Sequence, residues 1–242
     1  MPDPLIAYCG PAAVPDDFWT RWNIDPPVIA ALVVLALAIG RRKAPDARAG
    51  GWCATALLFV IFVSPLCALS SALFSARVLH HILLVSAVAP LLALAFPRPR
   101  AGSMPLALLV AVHAVVLWLW HAPGPYAWGL ATVPAYWLMQ SSLLGSAWLM
   151  WRAILAPPIQ PGPALVALAV TVGQMGLLGA VIVFARGPLY FVHLASTAAW
   201  GFSPIADQQL AGLLMWVPAM LPYLGVGLWI AWSSLRPSEP AL

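Results

Sequence analysis

Charge is the scarcest commodity in this sequence. Asp, Glu, Lys and Arg together make up 7% of the 242 residues, against 63% hydrophobic residues, where a soluble globular chain is about a quarter charged and about half apolar. With a mean hydropathy of +0.93, a soluble domain is excluded and a multi-span membrane protein remains. The formal charge of +4 comes from 11 basic and 7 acidic residues. The bases stand singly between apolar runs and form no stripe that could track a phosphate backbone, so nucleic acid is not an expected partner. Cysteine is scarce too. Cys9, Cys53 and Cys67 are too few and too dispersed for a disulfide framework or a paired-cysteine zinc site. No basic stretch precedes an apolar core at the N-terminus, so no cleavable signal peptide is read and the first apolar helix is expected to direct insertion. Internal repeats, a soluble domain and a nucleotide-binding loop are also lacking.

What is present is a series of apolar runs. About 20 apolar residues cross the hydrocarbon core as a helix, and the runs at 22–40, 51–74, 78–96, 104–120, 133–151, 164–185 and 204–233 qualify. The expected fold is therefore all-α: a single integral-membrane domain built as a bundle of seven transmembrane helices. Pro65 is an expected kink within the second run, and 75–77 reads as a very short turn. Residues 121–132 read as an uncharged loop. With the N-terminus outside, the inner loops and tail hold Arg41, Arg42, Lys43, Arg48, Arg98, Arg100, Arg152 and Arg236, and the outer side only Arg21, Arg77 and Arg186. Eight against three points to an extracytoplasmic N-terminal tail (1–21) and a cytoplasmic C-terminal tail (237–242).

That topology places the histidines by depth. His80 and His81 fall a few residues into the third helix from its outer end, His121 closes the outer end of the fourth, and His193 lies in the outer segment before the seventh. Only His113 is near mid-membrane. Cys67 joins this outer layer from the second helix, and Asp207 and Gln208 open the seventh. Ionisable groups in a membrane usually face the bundle interior and mark function. Imidazoles with sulfur ligands suit copper or zinc, with soft sulfur favouring Cu(I), and histidine is also an axial heme ligand. His113 and His121 are eight residues apart, a rise of about 12 Å, and cannot share one ion. His80 and His81 differ by about 100° around their helix, so one of them is expected to face inward, and Arg77 shares the face of His81. The plainer alternatives are interhelical hydrogen bonds for the histidines, small-hydrophobe packing for Cys67 and core packing for Met215 and Met220. Trp22, Trp52, Trp120, Trp128, Trp151, Trp200 and Trp232 sit near helix ends, where interfacial anchoring accounts for them.

The polar triplet Asp207-Gln208-Gln209 stands out against its apolar helix. Ser203-Pro204 before it reads as an N-cap followed by proline at the first helical position, and an acid in the first turn suits the helix dipole. The two glutamines are left without such a reason.

Three stretches resemble the multi-span CtaG family, assembly factors of the caa3-type cytochrome c oxidase. They are Arg77-Val-Leu-His-His81 with the following Ala89-Pro90-Leu-Leu; Trp120-His121-Ala-Pro123-Gly-Pro-Tyr126; and Trp200-Gly-Phe-Ser-Pro204 leading into Asp207-Gln-Gln-Leu-Ala-Gly-Leu-Leu-Met215-Trp-Val-Pro218. The resemblance covers most of the chain from the second helix onward. It implies an assembly factor of the respiratory chain, not an enzyme, in the bacterial inner membrane, with cytochrome c oxidase subunits and the lipid bilayer as partners. The histidine layer adds an expected role in holding or delivering copper at the outer face. His81 and His121 are the expected ligands, His80, Cys67 and Met215 helpers, and Asp207, Gln208 and Arg77 their supports, the first two orienting an imidazole. There is one departure: the family pattern has two histidines four apart in the third helix, and here Arg77 takes the first place. Its charge opposes a bound cation beside it. The alternatives are a metal-free scaffold or accessory subunit for oxidase subunits and, second, a membrane heme-binding protein.

Overall fold

The computed structural model describes residues 8–97 and 104–235, and every ordered element among them is helical. Arg98, Arg100 and Arg236, which entered the charge count, and the 237–242 tail lie outside the described residues. The chain runs through α1 (Pro26–Gly40), α2 (Pro45–Phe62), α3 (Leu66–Ala72), α4 (Phe74–Ile82), a π-helical segment (Leu83–Val88) and α5 (Ala89–Ala95). Then follow α6 (Leu106–His121), α7 (Pro123–Ala131), α8 (Val133–Ile154), α9 (Pro161–Val183), α10 (Pro204–Trp216) and α11 (Leu221–Leu235).

Proline sets most of the boundaries, because it cannot donate its amide and is best tolerated in the first turn. Pro65 ends α2, and α3 leaves at 46°. Pro123 follows α6, and α7 leaves at 77°, so 123–131 is helical where a loop was expected. The expected turn at 75–77 is instead the first turn of α4, which begins at Phe74. Pro90 explains the π-helical segment. In a π register the Val85 carbonyl would wait for the amide of residue 90, which proline lacks. The indole Nε1–H of Trp151 on α8 donates to that carbonyl at 3.1 Å. Trp151 is therefore fully buried and serves the core, a correction to its expected place at the membrane interface.

Three helical stretches are long and apolar enough to cross a membrane: 74–95, 161–183 and 204–235. Counting each bent pair, α2–α3 and α6–α7, as one span raises the number to five, short of the expected seven. The 15 residues of α1 rise about 22 Å, less than the roughly 30 Å hydrocarbon core. The 22 residues of α8 reach far enough, but Gln140, Ser141, Ser142 and Ser146 lower its apolarity. Gln140 and Ser146 are buried against protein.

The helical run formed by α4, the π segment and α5 is packed by α2, α8 and α10. Its α4 part is buried, Arg77, His80 and His81 included. The helices α9 and α10 pack closely at Gly179 and Gly212. A Cβ on Gly212 would sit 2.5 Å from Val183 Cγ2 and 2.7 Å from the Gly179 carbonyl oxygen, so only glycine permits this crossing, which seats α10 beside α4.

The N-terminal segment folds back over one end of the bundle. Cys9 and Cys67 form a disulfide with Cα atoms 5.2 Å apart, a single link where the sequence offered no disulfide framework. The 58-residue separation carries no sequence signature; the pairing arises because this segment crosses the α2–α3 break. The Asn23 amide N–H donates to Val63 O at 2.9 Å, its side chain donates to Phe62 O at 3.0 Å, and the Trp200 indole donates to Ala13 O at 2.9 Å.

Candidate functional site

The polar layer beneath this N-terminal strap is assembled from α4, α6, α7, α8 and the 184–203 connection. Its most ordered element is the start of α4, whose first amides have no intrahelical acceptor. Asp207 supplies one from outside. Its carboxylate accepts from the Phe74 amide at 2.7 Å and the Ser75 amide at 3.2 Å, and it also accepts from the Ser75 hydroxyl. Ser203 meanwhile caps α10 itself, its Oγ accepting from the Ala206 amide at 3.2 Å. The local reading of the Ser203-Pro204 cap therefore holds, and Asp207 does more than suit its own helix dipole: it is the N-cap of a neighbouring helix.

This corrects the expected support role of Asp207 and Gln208, neither of which bonds an imidazole. Gln208 Oε1 accepts from the Leu189 amide at 2.7 Å, and its Nε2 donates to Ile182 O at 3.1 Å and Gly187 O at 3.4 Å. It closes the C-terminal turn of α9, where carbonyls lack helical partners, and Gln209 is exposed.

Capped in this way, α4 presents its histidines nearly two turns deeper. The His81 and His121 rings lie 5.4 Å apart between centroids, at 82° to each other. His121 Nδ1–H donates to Leu117 O at 2.7 Å, leaving Nε2 as a buried lone pair without a partner. His81 Nε2 faces Gln140 Nε2 at 3.4 Å. His80 is also buried, correcting the expectation that only one of the two faces inward, and it meets the edge of Phe62 at 5.0 Å and His81 at 5.9 Å.

Two imidazoles bound to one ion through bonds of about 2 Å have centroids no more than about 6 Å apart, and the 5.4 Å between His81 and His121 lies within that reach. No group of three or more His, Cys, Asp or Glu gathers at metal-holding distance among the described residues. Cys67 is removed from the ligand set by its bond to Cys9. Met215 is buried on α10, eight residues or about 12 Å beyond Asp207. Two buried imidazoles without an anionic third ligand suit a soft, low-coordinate ion better than tetrahedral zinc.

Arg77 shares the layer. Its Nη1 donates to the Tyr136 hydroxyl at 3.4 Å and its guanidinium carbon sits 5.3 Å from the Tyr136 ring centroid. His113 lies apart, its Nδ1 joined to Ser146 Oγ at 3.0 Å as an α6–α8 tie. His193 Nε2 is joined to the Tyr126 hydroxyl at 2.7 Å. Burial, with a smaller contribution from the Arg77 charge, pushes the His193 imidazole down to about 4. The Tyr190 hydroxyl donates to His121 O at 2.7 Å, tying the 184–203 connection to the ligand-bearing end of α6. Sequence reasoning missed Gln140, Tyr136 and Cys9, and placed His193 in the outer layer without a role. Gln140 alone carried a usable signal, an amide within an apolar span.

A helical membrane protein with a buried, histidine-lined polar layer at one end of its bundle is the class these features define. Comparison with family models identifies it further: the model for the cytochrome c oxidase caa3 assembly factor (Caa3_CtaG) matches residues 28–237, and the chain belongs to that family. No curated protein and no solved structure matches it.

Proposed function

We propose that the protein holds copper(I) between His81 and His121 during assembly of a caa3-type oxidase, at the extracytoplasmic side of a bacterial inner membrane. The observation that carries the copper reading is the His81–His121 pair, buried, 5.4 Å apart and with an unpartnered His121 Nε2. Bound there, copper would be cargo for a metal centre of the oxidase. The chain's own contribution is to fix the ring of His121 through Leu117 O, to set Gln140 against His81, and to exclude water from both. His80 and Met215 are the remaining candidates for a further ligand.

The topology belongs to the same proposal. Adding α1 and α8 to the three long stretches and two bent pairs gives seven crossings, since a buried α8 need not be apolar on every face. The eight-to-three bias in basic residues puts the strap outside. The Cys9–Cys67 disulfide lies under the same strap, and disulfides persist in oxidising compartments. A C-terminal reporter active only in the cytoplasm tests the orientation.

Copper content after anaerobic reconstitution tests the ligand assignment. Wild type should retain about one copper(I) per chain and the His81→Ala/His121→Ala protein none; equal content in both removes the assignment. One observation favours a second reading, a metal-free scaffold for oxidase subunits: the Arg77 guanidinium lies in the same layer and repels a cation. On that reading oxidase subunits cross-link to the chain as well in the double variant as in wild type, without copper. Failure to recover any subunit counts against it.

A further inference from the structure

The helix α1 packs on α2 and is clamped to it where a Cβ on Gly51 would collide with Ile39. Against α8 it stands off. Two half-open cavities, of about 210 and about 450 Å³, lie in that gap and share Leu35, Ser141 and Leu144, so they adjoin as one groove. On α8 the groove runs over two short side chains one turn apart, Ser141 and Gly145, and a Cβ on Gly145 meets nothing within 4 Å. The walls are apolar, because the Ser141 hydroxyl donates to Trp137 O at 2.6 Å and the Gln140 amide faces His81. Water finds too few partners there to stay ordered. The larger cavity follows α8 from Ser141 to Arg152, a rise of about 16 Å, close to the depth of one leaflet of a roughly 30 Å hydrocarbon core. One end is cationic. Arg152 stacks on Trp148 at 4.6 Å and donates from Nη2 to Pro97 O at 3.0 Å, and the Arg42 guanidinium carbon lies 5.3 Å from the ring centroid of Phe96, another wall residue. Both arginines are partly exposed. Neither has an acidic partner, since the one ion pair among the described residues is Arg21–Asp17.

We propose that this groove binds an anionic phospholipid, an acyl chain lying between α1 and α8 and the phosphate at Arg42 and Arg152. The apolar walls, the depth of one leaflet and the cations at one end match the parts of such a molecule in order. Arginine is suited to the phosphate because its planar fork offers parallel N–H groups to two oxygens, and basic side chains at the membrane surface favour anionic lipids. A partner's transmembrane helix is a worse match: about 10 Å across, it fills roughly 1,200 Å³ over the same length. The cleft of about 390 Å³ between α6 and α9 is as apolar, yet no Lys or Arg among the described residues lines it, so it lacks the charge that selects a headgroup. Held in the groove, the lipid bridges α1 to α8 across the gap. The site rests on the reading of α1 and α8 as crossings and is independent of copper.

The test uses the purified full-length chain, stripped of lipid in a neutral detergent, with phosphatidylglycerol or phosphatidylcholine of the same chains added back. Phosphatidylglycerol should raise the thermal unfolding midpoint by about 3–5 °C per tenfold increase above its dissociation constant. It should bind more tightly than phosphatidylcholine by about fivefold for each arginine it meets. Glycerol phosphate, a headgroup without chains, should leave the midpoint unchanged; a rise equal to that with lipid overturns the proposal. Gly145→Trp narrows the groove from a position with open space and should weaken phosphatidylglycerol binding at least tenfold without lowering the midpoint of the lipid-free protein. Arg42→Gln/Arg152→Gln should lose the preference between the two lipids, and Arg42→Lys/Arg152→Lys should keep most of it. Equal affinity for the two lipids in wild type, or unchanged phosphatidylglycerol binding by Gly145→Trp, overturns the proposal. Native mass spectrometry, counting lipid molecules held per chain, gives a second reading that needs no unfolding. The C-terminal reporter tests the topology separately: a lost lipid response with an agreeing reporter overturns the lipid site alone, and a contradicting reporter removes its placing in the inner leaflet.

Discussion

Removing the Asp207 carboxylate should unseat the helix that carries the histidines, and the size of the effect follows from the groups left behind. In Asp207→Ala the amides of Phe74 and Ser75 and the Ser75 hydroxyl lose their acceptor at a position that is 1% exposed. Hydrogen bonds to a charged group contribute about 1.5–3 kcal/mol each, and a buried donor left alone bears its desolvation cost. Losing an N-cap costs about 1 kcal/mol, counted on the same amides. Since these overlap, a total of about 3–5 kcal/mol is expected. At about 2–4 °C per kcal/mol for a chain of this size, the midpoint should fall by roughly 10 °C. Asp207→Asn keeps one carbonyl acceptor but turns an N–H₂ towards existing donors, so it should lose roughly half as much. Gln209→Ala, an exposed neighbour, should stay within about 0.5 kcal/mol. Tryptophan fluorescence of the purified protein during heating reads all three. A fall of less than about 2 °C for Asp207→Ala, or a larger fall for Asn than for Ala, would refute the cap.

Other perturbations probe the remaining supports. Gly212→Ala forces a Cβ to within 2.7 Å of the Gly179 carbonyl oxygen and should cost about 1–3 kcal/mol by overpacking, whereas Gly225→Ala meets nothing within 4 Å and should be neutral or stabilising on heating. Cutting the Cys9–Cys67 bond releases a link between residues 58 apart, worth up to about 4 kcal/mol in the chain-entropy treatment. Alkylation of the unfolded protein should count one thiol, Cys53, before reduction and three after it. The His193 imidazole is held near 4 when folded against about 6.5 unfolded, so the unfolded state binds the extra proton. Stability is unaffected above about pH 6.5 and falls as the pH drops towards 4, by up to about 3 kcal/mol. Midpoints recorded from pH 7.5 to 4.5 should show a fall towards acid, and His193→Gln should reduce its slope.

Much of the bundle was legible because burying a chain in lipid leaves a strong, local mark. Apolar runs fell on the three long helical stretches, and Pro65 marked the break between α2 and α3. The kind of break was not legible: whether the chain after Pro123 forms a loop or a helix at 77° depends on what Tyr126 and Leu130 can pack against. The common depth of His81 and His121 was anticipated, since helix rise converts residue number into height. Rotation about the axis was not. His80 is buried because α4 is surrounded, a property of its neighbours. Ser203 and Pro204 announced the start of α10 correctly, yet the carboxylate four residues on spends itself on another helix.

By itself the sequence determined the membrane class, the helical content, the spans' approximate places and the family, because hydropathy and proline act over a few residues and need no partner. Tertiary structure alone decided that Cys67 bonds Cys9, that Asp207 caps α4, that Gln140 reaches His81 and that Arg77 reaches Tyr136. Each of these joins residues at least 58 apart in sequence, and which distant group meets which depends on how the helices cross, as at Gly179 and Gly212, where the absence of two side chains brings α10 close enough to serve α4.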